Sequence, residues 1–212
     1  MTLADYNGHL VTLCLMATGT FAIGTDAFIV AGVLSDISDT FAVSPAQAGQ
    51  LISIFALAYM LFAPLTAWLL GNVNRKHILQ LALVLFIAGN LACAWATSYL
   101  QISLGRVLAA LGAACYTPQA AAAAVGLVAE KRRGLAISIV YGGMTLAIAL
   151  GIPFGTFLAK LIGWREIFLF IALLGAIALL GLSLALRAIA PPGKHSLKER
   201  LAPLRQKAVL TT

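Results

Sequence analysis

Long uncharged apolar runs, separated by short polar gaps, make up most of this 212-residue chain. Six of them approach or exceed the roughly 20 residues a helix needs to cross a bilayer. They run over about 10–34, 45–70, 78–97, 101–128, 135–160 and 167–187. The gaps are Ser35–Ser44, Gly71–His77, Ser98–Leu100, Ala129–Gly134 and Gly163–Glu166. Connections this short force neighbouring helices to run antiparallel, so the pattern predicts an all-α, polytopic bundle of six membrane spans. Ala120–Ala124, Gly142–Gly143 and the Gly151/Gly155 pair are small enough for close helix contact in lipid, where packing rather than hydrophobicity drives association.

Composition agrees with the pattern. The chain is 61% hydrophobic and 10% charged, against about 25% charged in a soluble domain. Little sequence remains for a separate catalytic or nucleic-acid-binding module, so the net charge of +7 belongs to topology. Arg75 and Lys76, then Lys131, Arg132 and Arg133, then Arg187, Lys194, Lys198, Arg200, Arg205 and Lys207 all fall on one side of the membrane. Basic residues collect on the cytoplasmic side, so both termini are expected there. The other side carries Lys160 and Arg165 with Asp36, Asp39 and Glu166. The N-terminal MTLADYNGHL has no Lys or Arg, so later loops set the orientation. It also lacks the basic start of a cleavable signal, and the first span is expected to be retained.

Two charges break the rule that ionic residues stay in the gaps: Asp26 in the first run and Arg106 in the fourth. A charge in hydrocarbon costs at least a few kcal/mol, so such residues usually face a bundle interior or a water-filled path. Asp26 stands about eight residues inside its span, roughly 12 Å at 1.5 Å per residue, and Arg106 enters its span from the same side to roughly 7 Å. They share the outer half of the bilayer and are candidates to meet across a wet hollow. Burial opposes the Asp26 charge and a nearby Arg106 favours it, so their approach and separation would govern proton uptake. A fixed ion pair holding two helices in register is the alternative reading.

Tyr59, Asn90, Tyr116, Thr117, Gln119 and Tyr141 are further polar residues within spans. Thr117 returns to the helical face of Arg106 after about three turns, whereas Gln119 falls on a nearly opposite face. Cys14, Cys93 and Cys115 lie in separate runs without CxxC spacing and read as small packing residues. No phosphate-binding glycine loop and no GxSG serine motif is present, and His9, His77 and His195 fall outside the spans or at their ends. Neither enzymatic activity nor a cofactor or metal is expected.

Ala190-Pro191-Pro192-Gly193 ends the sixth helix, because proline removes a backbone donor and clashes with the preceding turn. The basic Ser196–Lys207 follows, and Ala208–Thr212 turns apolar again. The chain therefore divides into a transmembrane bundle over 1–188 and a basic cytoplasmic linker over 189–212, running into a truncated seventh span. Its expected partner is a missing C-terminal six-helix half or a second copy of itself.

Five motifs, in order and on the right spans, resemble the major facilitator superfamily, most of all the N-terminal half of its twelve-span, arabinose-efflux-permease-like drug:proton antiporters. Leu104-Gly105-Arg106-Val107-Leu108-Ala109-Ala110-Leu111-Gly112 resembles the fourth-span motif whose arginine is implicated in proton transfer. Leu150-Gly151-Ile152-Pro153-Phe154-Gly155 is similar to the antiporter motif of the fifth span. Gly163-Trp164-Arg165-Glu166-Ile167-Phe168 and Ala88-Gly89-Asn90 match the start of the sixth span and the third-span G-N. The loop Ala67–Lys76 keeps only the basic end of the family's G-x-L-a-D-r-x-G-r-r, with Ala67 for the first glycine and Gly71 for the aspartate. The resemblance implies two inverted three-helix repeats forming one half of a transporter that works by alternating access. It further places Asp26 and Arg106 on corresponding cavity-lining first and fourth spans; Tyr59, Asn90 and Thr117 are candidates for the same proton-coupling or substrate cavity, with interhelical hydrogen bonds as the alternative reading of each. Gly151, Pro153 and Gly155 would shape the fifth helix, and Arg75 and Lys76 would cap helices or hold anionic headgroups. The expected function is proton-coupled efflux of a small organic solute, drug or sugar-like, across a bacterial cytoplasmic (inner) membrane, with membrane lipid, protons, that solute and the second half as partners. A half-size homodimeric carrier and a non-transporting fragment or assembly partner are the alternatives.

Overall fold

The computed structural model describes residues 3–70 and 73–186. Among them lie six helical segments long and apolar enough to span a membrane: His9–Gly32, Pro45–Leu69, Arg75–Ala94, Tyr99–Leu127, Glu130–Ile162 and Trp164–Ala185. They are called spans 1–6 below. Span 1 lies within α1 (Leu3–Gly32), followed by a short α2 (Leu34–Phe41); spans 2, 3 and 4 are α3 (Pro45–Leu69), α4 (Arg75–Ala94) and α5 (Tyr99–Leu127). Span 5 comprises a 3₁₀ turn at Glu130–Arg132, α6 (Arg133–Leu146), a π turn at Ala147–Gly151 and α7 (Ile152–Ile162), and span 6 is α8 (Trp164–Ala185). The linker expected over 189–212 lies outside the described residues, as does the Gly71-Asn72 part of the loop motif.

Helix starts are written locally. Ser44, Asn74 and Ser98 accept hydrogen bonds from the backbone N–H of Gln47, Lys76 and Gln101, occupying donors that the first helical turn leaves free. The connection expected over Ser35–Ser44 is instead largely helical. α2 buries Ile37, exposes Asp36, Asp39 and Thr40, and ends at Ala42 in the left-handed region with φ 51°. Its one buried stripe is too short to register as an apolar run. At Gly163, φ is +106° and an added Cβ would meet the Glu166 carboxylate, so only glycine makes the tight joint between α7 and α8. Span 5 is broken where Pro153 lacks an N–H. The preceding turn widens, Ile152 N–H reaching back to the Ala147 carbonyl, which relieves the clash a proline ring makes with the carbonyl four residues before it.

Span 1 packs on spans 5 and 6, span 4 packs on spans 2 and 3, and span 3 packs on span 6. Exchanging spans 1 with 4, 2 with 5 and 3 with 6 carries this contact pattern onto itself. Neighbouring spans alternate in direction, so spans three apart are antiparallel, and the two triplets are inverted repeats. The same exchange relates two cations. Lys76, second residue of α4, donates from Nζ to the Ser183 carbonyl near the end of α8 at 2.8 Å. Arg165, second residue of α8, donates from Nη1 to the Ala94 and Ala96 carbonyls at the end of α4, at 2.9 and 2.7 Å. Each repeat thus neutralises the terminal carbonyls of the other, where the helix dipole is negative.

Small residues set the interhelical distances. Gly112 lies against the backbone of Ala82 and Phe86, and Gly89 against the backbone of Ala109, so spans 3 and 4 touch main chain to main chain. Gly143 likewise meets span 1 at Ala17 and Thr20, but Gly142, read beside it as a contact residue, has nothing within 4 Å of a Cβ added there. In the alanine run, Ala120, Ala123 and Ala124 are buried. Cys14 is exposed, contrary to its reading as a packing residue, while Cys93 and Cys115 are buried. Thr117 and Gln119 are both buried although they occupy different faces, because span 4 has neighbours on nearly every side.

A side chain at Gly112 displaces backbone. Overpacking of this kind typically costs about 1–3 kcal/mol. Gly112→Ala is expected to lower the unfolding temperature in detergent by several degrees, whereas Gly142→Ala leaves it unchanged or raises it slightly; equal effects at the two positions would contradict the packing described.

Candidate functional site

Asp26 stands six residues before the end of span 1, and Arg106 seven residues after the start of span 4. Antiparallel packing brings these ends to the same side. The Arg106 Nη1 donates to Asp26 Oδ1 at 2.6 Å, and Nη2 donates to the Asp26 backbone carbonyl at 3.2 Å. Both side chains are 0% exposed. The Phe55 ring of span 2 lies under the guanidinium, 4.3 Å from Cζ to the ring centroid, an arrangement that favours a desolvated cation. Asn90 of span 3 is buried beside them and donates from Nδ2 to the Phe86 carbonyl at 3.0 Å. Cys93, one turn further along span 3, lies within electrostatic reach of both charges.

Asp26 and Arg106 therefore meet directly in a closed cluster, where an open hollow between them was expected. The carboxylate, a backbone carbonyl and an aromatic face all bear on the guanidinium. Tyr59 is half-buried and stacks on Phe55 with ring centroids 6.5 Å apart, joining the cluster through that ring. Thr117 does not join. Its hydroxyl bonds back to the Ala113 carbonyl at 3.1 Å, and eleven residues of helix place it roughly 16 Å from Arg106 along the axis. Tyr116 donates to the Met16 carbonyl at 3.1 Å, another tie between spans 4 and 1.

Gly151 and Gly155 pack on Thr25 and Ile29, which flank Asp26 on span 1, while Pro153 points outward. The fifth-span glycines thus seat the helix that carries the aspartate. Lys76 makes the cap on span 6, and Arg75 is half-buried at the start of span 3. Phe55 and Cys93 were missed by the sequence reading, since an aromatic ring or a thiol in an apolar run carries no mark of its neighbours. The one available signal for Phe55 was its one-turn spacing from Tyr59.

Six antiparallel spans in two inverted repeats, tied by a buried ion pair, define a polytopic membrane protein with transporter architecture. A family model described as the Major Facilitator Superfamily matches residues 16–211, and the chain belongs to that family. It is 33% identical over 199 residues to the "Inner membrane transport protein YdhP" of Escherichia coli (strain K12), covering 94% of this chain and 51% of that protein. It is 32% identical over 202 residues to the "Chloramphenicol resistance protein" of Streptomyces lividans, covering 93% and 52% respectively. The crystal structure of a bacterial homolog to the human lysosomal transporter Spinster, inward-facing and unoccupied, superposes with a TM-score of 0.70 at 28% identity, over 94% of this chain and 48% of that one. The chain spans about half the length of the curated relatives it matches.

Removing one partner of a buried pair leaves an uncompensated charge, at a cost of about 3–5 kcal/mol, whereas replacing both with apolar groups is often neutral. Arg106→Met alone is expected to depress the unfolding temperature in detergent strongly, and Asp26→Leu/Arg106→Met to recover most of the loss. Full additivity of the two single variants would show that the pair is not coupled.

Proposed function

We infer that this chain works as the N-terminal six-helix half of a proton-coupled efflux transporter, exporting a small organic solute by alternating access. The buried Asp26–Arg106 pair carries this reading. It ties span 1 of one repeat to span 4 of the other, and one proton on Asp26 removes the charge that holds them. Proton binding and repeat movement then become a single equilibrium, which is what coupling requires.

Spans 2 and 5, exchanged by the internal symmetry, are the least buried of the six. They present Leu57, Met60 and Leu61, and Phe154, Phe157 and Leu161, to their surroundings. A second six-helix unit docked on these faces would enclose a solute path between the halves, consistent with relatives of about twice this length. Export is favoured by the antiporter-like Gly151–Gly155 stretch and by a relative named for chloramphenicol resistance. The cytoplasmic side is then the one bearing Arg75, Lys76, Lys131, Arg132 and Arg133, and the membrane is a bacterial inner membrane, as in the name of the relative YdhP.

The test is flux in proteoliposomes holding the complete transporter, with this chain and its second half, using chloramphenicol and a panel of amphiphilic antibiotics. Wild-type protein is expected to move a panel member when a proton gradient is imposed and to stop on addition of a protonophore. Asp26→Asn is expected to abolish the gradient-driven component entirely. Full proton-driven flux in Asp26→Asn would remove the coupling role, and transport indifferent to the gradient in wild type would remove proton coupling altogether.

A further inference from the structure

Neighbouring spans alternate in direction, so spans 1 and 5 run the same way, and both begin at the end bearing the basic loops. Their first turns leave an apolar groove of about 340 Å³ between them, partly open to the surroundings and bounded by Val128 just after span 4. His9 and Arg132 stand at its rim, each in the first turn of its span. Leu10 and Leu13 of span 1, with Leu135 and Ile139 of span 5, line the groove beyond them. Ile139 is seven residues past Arg132, so the apolar lining descends roughly 10 Å into the membrane from the charged rim.

Charge follows the same axis. The turn Glu130–Arg133 carries three cations against one carboxylate, and Glu130 faces Arg133 at 3.9 Å. Of the three cations, Arg132 is the one that lines the groove. The groove is therefore cationic at headgroup depth and apolar at acyl depth. Basic pockets between spans at the cytoplasmic surface are sites of the type that hold anionic lipid headgroups. A zwitterionic lipid brings Arg132 no net charge, and a free anion brings nothing to the leucines below.

We propose that this groove binds one anionic phospholipid from the leaflet that meets the basic loops. Its phosphate sits at the rim, where the Arg132 guanidinium donates to the phosphate oxygens and His9 lies alongside. The upper part of one acyl chain lies along Leu13 and Ile139. Spans 1 and 5 belong to different repeats, so the lipid bridges the repeats at the membrane surface. That bridge is roughly 25 Å along span 1 from Asp26, and it needs no proton there.

The experiment is native mass spectrometry of the complete transporter released from bilayer discs of phosphatidylcholine, with phosphatidylglycerol raised stepwise. Wild type is expected to hold one phosphatidylglycerol that Arg132→Gln holds about fivefold more weakly, the effect of one cation at a charged surface. Arg133→Gln removes the same charge outside the groove and is expected to bind as wild type does. Leu10 and Leu135 are exposed, so Leu10→Trp, or Leu135→Trp should the first not fold, fills the groove without disturbing the core. Either is expected to weaken binding as much as Arg132→Gln. Equal losses in Arg132→Gln and Arg133→Gln overturn the proposal, since they mean diffuse attraction to a basic surface. Unchanged binding in the tryptophan variants overturns it too, as does phosphatidylcholine held as tightly as phosphatidylglycerol. Displacement of the lipid by an equal concentration of glycerol phosphate would mean a phosphate site without use for the leucines, and is equally fatal. Asp26→Asn is expected to keep wild-type lipid binding, which separates this site from the coupling reading.

Discussion

A cation and an anion, both withdrawn from solvent, hold the two halves of this bundle together. An isolated guanidinium in a membrane interior is among the most expensive groups a helix can carry. Here Arg106 tolerates that position only because Asp26 meets it end-on at 2.6 Å, the Asp26 carbonyl takes a second N–H, and Phe55 covers the charged plane. Each condition constrains a different element. Asp26 fixes the rotation of span 1, Phe55 that of span 2, and Gly151 and Gly155 let span 5 close behind the aspartate.

Around that pair the architecture repeats itself. Lys76 caps span 6 and Arg165 caps span 3 by the same operation that exchanges the first and second triplets. The caps lie at opposite ends of the antiparallel span 3–span 6 pair, so they clamp it at both membrane surfaces. Arg165 is itself stacked on Trp164 at 4.4 Å, whose ring N–H donates to Thr40 of α2 at 3.0 Å. The Arg165 clamp therefore reaches three elements. Two inverted units are thus clamped at both ends of the span 3–span 6 pair and joined by a buried ionic tie between spans 1 and 4.

Much of this was legible from residue order alone. Length and polarity of the runs delimited all six spans to within a few residues, because a helix crossing a bilayer satisfies its backbone polar groups within one continuous apolar segment. The serine and asparagine caps, the proline that widens span 5 and the glycine that turns into span 6 act within four or five residues, so their effects are written where they stand. Asp26 and Arg106 stood out for the same reason, as charges where the solvent is apolar.

What the chain alone could not specify was how those marked residues are satisfied. A lone intramembrane charge is equally consistent with a wet cavity and a closed pair, and the choice depends on helix rotation, which small residues on other spans determine. Phe55 became the platform for Arg106, and Asn90 the neighbour of Asp26, only when spans 2 and 3 were packed against span 4. α2 was hidden because an eight-residue amphipathic helix looks like a polar loop until a surface exists for Ile37 to cover. The local code determined which residues enter the membrane. Tertiary packing decided which of them meet, because interhelical contacts join positions about 80 residues apart whose spacing carries no periodic signal.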